Sequence, residues 1–132
     1  MRSFTMAVLM IACGFCCSGC TTIVTPQQLR AEHALFSQFE IDSGLQATVK
    51  NITNKAHECK MGDFQEHITL LEEFNEANIV YRLGDVTFLL VDLSRQGDKT
   101  HVAIYSQYKV GGWKRPIMVL EYGAKGMTGC PQ

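Results

Sequence analysis

The chain predicts an α+β domain: an antiparallel sheet of three or four strands with two or three helices packed on one face. Three observations carry that expectation. Early in the domain, apolar residues recur at helical spacing. Three later stretches, Ile79 to Leu83, Val86 to Leu93 and Thr100 to Tyr108, are rich in β-branched and aromatic residues. Turn signals at Gly84-Asp85 and at Arg95-Gln96-Gly97-Asp98-Lys99 separate those stretches, so consecutive strands fold back on one another as a meander. At 132 residues there is room for one such domain.

The elements follow in order. Pro26 suits the first turn of a helix and Thr25 its cap, and Leu29, His33, Phe36 and Phe39 continue at helical spacing, so a helix is expected over 26–40. Asp42-Ser43-Gly44 breaks it and starts the next. Leu45, Val49, Ile52, Ala56 and Cys59 then step by four, three, four and three, one apolar stripe on a helix over about 43–61 that Gly62-Asp63 ends. Phe64, Ile68 and Leu71 fit a third helix, while Ile68 and Leu70 fit a strand over 66–72 almost as well. After the meander, Gly111-Gly112 closes the last strand. Pro116 opens a short helix to Tyr122, with a final strand as the alternative, and residues 126–132 form a polar tail holding Cys130-Pro131.

The amino-terminal segment has a different character. Met1-Arg2-Ser3 is a short positive start, and Phe4 to Phe15 is an uncharged, mostly apolar run of about a dozen residues. That length suits the apolar region of a secretory signal and falls short of the ~20 residues needed to span a bilayer. Small residues Ser18-Gly19-Cys20 follow, and then polarity rises. Cys17-Ser18-Gly19-Cys20 resembles the lipobox of bacterial lipoproteins, in which small residues precede a Cys that receives diacylglycerol before cleavage. Cys17 departs from the pattern, where an aliphatic residue such as Leu is usual.

The resemblance implies a signal peptide over 1–19, a lipidated tether over 20–26 beginning at acylated Cys20, and a single α+β domain over 27–132. Two or more acyl chains give stable membrane anchoring. In enterobacterial-type sorting an Asp after the lipidated Cys retains a lipoprotein at the inner membrane. Position 21 is Thr, which implies the outer membrane, facing the periplasm. The later chain is also similar to small bacterial lipoproteins of unknown function, through Thr100, Tyr105, Trp113, Gly123, Cys130 and Pro131, with Cys59 in the preceding helix. That similarity brings a fold hint and no activity.

Cysteine usage agrees with export. Cys13, Cys16, Cys17 and Cys20 crowd the head, and Cys59 and Cys130 stand alone later. With processing at Cys20, one thiol is lipidated and two remain to pair, so a Cys59–Cys130 disulfide in an oxidising compartment is expected. The alternative is a buried Cys59 and a free Cys130 thiol. The CxxC spacings of the head also suit zinc or an iron–sulfur cluster, but their flanks are apolar rather than turn-forming.

Net charge is −1, and residues 1–19 carry only Arg2, leaving 11 basic against 13 acidic residues. No basic run forms a patch, which argues against nucleic acid as a partner. No GxSxG, HExxH, Walker or GxGxxG pattern occurs, so no catalytic or cofactor residue is assigned. His57-Glu58-Cys59 sets a base two residues from a thiol, yet positions two apart on a helix face different sides. Glu72, Glu73 and Glu76 read as a solvated face. The candidate binding surface is Tyr105, Tyr108, Trp113, Lys114 and Arg115, with Lys109 beside them, suited to a glycan, a lipid headgroup or a protein. These readings favour a non-enzymatic binding or accessory module, anchored to a membrane and contacting an envelope protein or the cell wall. The rivals are a small periplasmic enzyme or enzyme inhibitor, and a purely structural tether.

Overall fold

The computed structural model describes residues 24–31 and 34–132. The expected signal peptide, Cys20 and His33 lie outside the described residues. Of the expected tether, residues 24–26 are held within the fold: Val24 is buried, its carbonyl accepts from the Thr87 amide at 2.9 Å, and Pro26 already belongs to a helix.

The element order is α1 (Pro26–Ala31), β1 (Leu35–Ile41), α2 (Leu45–Glu58), β2 (Gln65–Leu71), β3 (Glu76–Leu83), β4 (Val86–Gln96), β5 (Lys99–Ser106) and α3 (Lys114–Ala124). The class is α+β, as expected, with five strands rather than three or four. They form one antiparallel sheet in the order β1-β5-β4-β3-β2. β2 to β5 is the meander. β1 sits at the far edge, beside β5, and α2 crosses over the sheet from the β1 edge to the β2 edge.

The fifth strand replaces the second half of the helix expected over 26–40. Thr25 and Gln28 do cap α1 reciprocally: the Thr25 amide donates to Gln28 Oε1 at 2.8 Å, and the Gln28 amide donates to Thr25 Oγ1 at 3.2 Å. The helix stops at Ala31. From Leu35 the chain pairs with β5 instead, and Ser37, Phe39 and Ile41 alternate toward the helices. Phe36 and Phe39 fit a helical stripe locally, but six backbone ladder pairs with β5 outweigh a modest helical preference. Gln65–Leu71 forms a strand, which settles the choice left open there.

Helix α2 ends at Glu58, earlier than the expected 61, because Lys60 takes a left-handed conformation (φ 47°) and the Met61 amide turns back to the Ala56 carbonyl. Helices α2 and α3 cover one sheet face. Ile52, Ile117, Val119 and Leu120 pack there on Ile79, Leu89, Val91, Val102 and Ile104, all fully buried. The two helices meet at Gly123, where an added Cβ would lie 2.7 Å from the Ile52 Cα. The third helix, α1, lies on the opposite face, where Leu29 packs with Val24, Ala34, Val80 and Leu90. It covers only part of that face.

Candidate functional site

The disulfide expected from cysteine arithmetic is present. Cys59 closes α2 and bonds to Cys130 in the tail, with Cα atoms 5.5 Å apart. This Cys59 has no thiol left for the nucleophile arrangement with His57. The His57 imidazole instead reaches Glu66 at 3.5 Å.

The five residues of the expected binding surface are split by the fold. Tyr108 and Trp113 do come together at the end of the sheet where β5 finishes. A bulge in β4, between the Arg82–Thr87 and Tyr81–Leu89 pairs, turns Phe88 toward the helix face. Phe88 then stacks on Trp113 with centroids 4.9 Å apart and planes 2° from parallel. Tyr108 lies 5.2 Å from Trp113, and Phe64 joins from the start of β2 at 6.2 Å. Gly111, at φ 62°, lets the connecting loop fold the Trp back over the sheet. Lys114 is exposed beside this cluster. Arg115 is not a free surface cation, since its Nη2 donates to the Cys59 carbonyl at 2.9 Å and ties α3 to the end of α2.

Tyr105 belongs elsewhere. Side chains alternate along β5, so Val102 and Ile104 enter the helix-side core while Ala103 and Tyr105 point to the α1 side. There, a groove of about 450 Å³ lies beyond the end of α1, bordered by Arg30, Asn78, Asp92, Ser94, His101 and Tyr105 among others. Arg30 makes a two-pronged pair with Asp92, its Nε and Nη2 each 2.7 Å from a carboxylate oxygen. The hydrogen bond and charge of Asp92 raise the Arg30 pKa. The Tyr105 hydroxyl is pushed up first by burial and next by Asp92, with Arg30 opposing. This polar groove was not foreseen. Asn78 and Asp92, polar positions inside otherwise apolar strands, were the available signal for it. The pairing of Arg30 with Asp92 had none.

On the helix side, burial raises the pKa of Tyr81 far above the ordinary tyrosine value, and the neighbouring Glu66 carboxylate adds to the shift. Of the Glu72, Glu73 and Glu76 cluster, Glu72 accepts a hydrogen bond from Gln46 and closes the turn against α2. Among the described residues, no three His, Cys, Asp or Glu side chains converge as a metal site, and no helix is long and apolar enough to cross a membrane. Edge strand β2 leaves Ile68, Leu70 and Leu71 partly exposed, with Phe74 at 65% just beyond. No family model matches the chain, and no match is found among curated proteins or solved structures.

Proposed function

We propose that this chain is a lipid-anchored protein of the bacterial envelope, acylated at Cys20, held at the outer membrane facing the periplasm, and acting as a non-enzymatic binding module. The Cys59–Cys130 bridge is the observation that carries the reading. Such bonds persist in oxidising, extracytoplasmic spaces, and this one uses the two cysteines that remain once Cys20 is lipidated. The apolar run ending at Ser18-Gly19-Cys20 supplies the route there. For contact with an envelope protein or the cell wall, the fold offers the polar groove around the Arg30–Asp92 pair and the uncovered β2 edge.

Expression of the full chain in a Gram-negative host with labelled palmitate tests the anchor. The chain should take up label and sediment with the outer membrane, and Cys20→Ser should lose both properties. Label retained by Cys20→Ser, or a chain that never enters the membrane fraction, refutes it. A pull-down from detergent-solubilised envelope with Asn78→Arg as control tests the groove. A specific partner lost with that substitution supports binding, and identical capture by both forms rejects the groove as the site.

A further inference from the structure

We infer that the end of the sheet carrying Tyr108, Val110, Trp113 and Lys114 is a membrane-docking surface, which rests on acyl chains bound to an anionic phospholipid bilayer. The inference rests on the anchoring proposed above and adds an orientation to it. Four chain bonds separate Cys20 from Val24, so at full extension their Cα atoms stand at most about 14 Å apart. The headgroup layer of one leaflet is itself roughly 5–8 Å deep. Whichever part of the domain holds Val24 must therefore lie at or very near the lipid surface.

Val24 is held at one particular end. Its carbonyl is bonded to the amide of Thr87, at the start of β4, and the carbonyl of the next residue, Phe88, accepts from the Gln107 amide at 3.0 Å. The loop over 107–113 thus leaves the sheet beside the point where the chain enters it. That loop has the composition of an interfacial segment. Val110 is 71% exposed and Tyr108 45% exposed, a high exposure for apolar side chains in so small a domain. Leu83, at the end of β3 on the same rim, is 41% exposed. Trp113 sits behind them, partly buried, with Lys114 exposed beside it. Aromatic rings at the headgroup level and cations among anionic lipids are the usual partners of a bilayer surface.

Charge points the same way. From Thr100 to Leu120 the chain contains no Asp or Glu, while Lys114 is exposed beside this loop and Arg115, though bonded to the Cys59 carbonyl, keeps its positive charge next to it. Asp63 and Asp85 occupy other turns of the rim, so the positive character is local to 114–115 in a protein of negative net charge. With this end down, the β4–β5 turn at Gln96–Lys99 and the far end of the groove face away from the lipid.

Trp113 is the chain's one tryptophan, so it reports on this surface without labelling. The full chain is expressed in a Gram-negative host, purified from membranes in detergent, and its acylation read by intact mass. It is then placed in phosphatidylcholine vesicles containing phosphatidylglycerol, with and without lipids brominated near the headgroup. Trp113 emission should be quenched by the brominated lipid, and Val110→Glu should abolish most of that quenching. Lys114→Glu should lower the docked-to-undocked ratio by at least about fivefold, since each cation near an anionic surface contributes on the order of that factor. Acylated protein whose Trp113 is unquenched overturns the docking surface while leaving the anchor intact. Protein without acyl chains overturns the anchor, and the docking surface with it.

Discussion

Gly123→Ala distinguishes close helix packing from simple helix propensity, because the two make opposite predictions. In an open helix the substitution stabilises by about 1 kcal/mol, since Gly is the poorer helix former. Here the new Cβ would stand 2.7 Å from the Ile52 Cα, 3.0 Å from the Asn51 carbonyl oxygen and 3.0 Å from the Lys55 Cβ. Carbon atoms pack best at about 3.5–4.0 Å, so α2 and α3 must part by roughly 1 Å. Two of the three obstructing atoms are backbone and cannot rotate aside. Such a shift loosens Ile52, Ile117, Val119 and Leu120 at once, all with no exposed surface. Overpacking of this kind costs about 1–3 kcal/mol. With immovable neighbours the upper part of that range applies, and subtracting the propensity gain leaves a net loss of about 1–2 kcal/mol. For a domain of this size that is roughly 4–15 °C in Tm. Urea unfolding of residues 21–132, disulfide intact and followed by circular dichroism, measures it. Gly112→Ala is the control, since a Cβ there meets nothing within 4 Å. A Gly123→Ala protein as stable as the parent, or more so, would refute the close approach of the two helices.

Other outcomes follow from the same structure. Cys130→Ser opens a cross-link spanning 71 residues, for which chain entropy gives a loss of about 4 kcal/mol in the same unfolding assay. Alkylation of the unreduced parent should modify neither Cys59 nor Cys130, and two reactive thiols would disprove the bridge. Tyr81 is an acid whose folded pKa lies above its unfolded value near 10. Its contribution is complete below that pH and drains away as pH climbs toward the folded value, so Tyr81→Phe should flatten the loss of stability above about pH 10. An unchanged slope would count against the buried phenol. Asp92→Asn should move the Tyr105 ionisation down toward the ordinary tyrosine value, read by NMR of ring-labelled tyrosine, with no change if the carboxylate does not face the phenol. Arg30→Ala should cost at most about 1 kcal/mol, because its pair with Asp92 is partly exposed.

The parts of the fold legible in the sequence were those buried on a single, regular pattern. The apolar stripe of α2 and the dense β-branched runs of β3, β4 and β5 are imprints of burial. Two of the segments that local pattern misplaces or leaves open, β1 and β2, are the two edges of the sheet; the third, 116–122, fits a helix or a strand by its apolar content and forms α3. An edge strand has one neighbour and thin cover, so its alternation is faint. Phe36 and Phe39 could satisfy a helical spacing, and Ile68 and Leu71 could too. The site divides in the same way. Tyr108 and Trp113 are five residues apart on one loop, and their union was legible. Tyr105 lay on the same segment, but only the position of α1 makes its face a separate groove. The Arg30–Asp92 contact joins residues 62 apart and depends on where α1 lands, which no local pattern encodes.

The placement of β1 also bears on the order in which the chain takes shape. Strands β2 to β5 are joined by short turns, so each pairing closes only a few residues of chain. β1 meets β5 through Ile41 and Thr100, roughly sixty residues apart. Loop-closure entropy makes that contact about 2–3 kcal/mol harder to form than a hairpin of four residues. β1 therefore joins last, onto a ladder already built, and mutations within it speed unfolding more than they slow folding. Until it arrives, the β5 edge that pairs with Ser37 to Ile41 stands open, its backbone amides and carbonyls without a strand partner. A chain stalled at that point offers the same template to any neighbour in the same state, so the route to aggregation for this protein runs through the vacant place of its first strand.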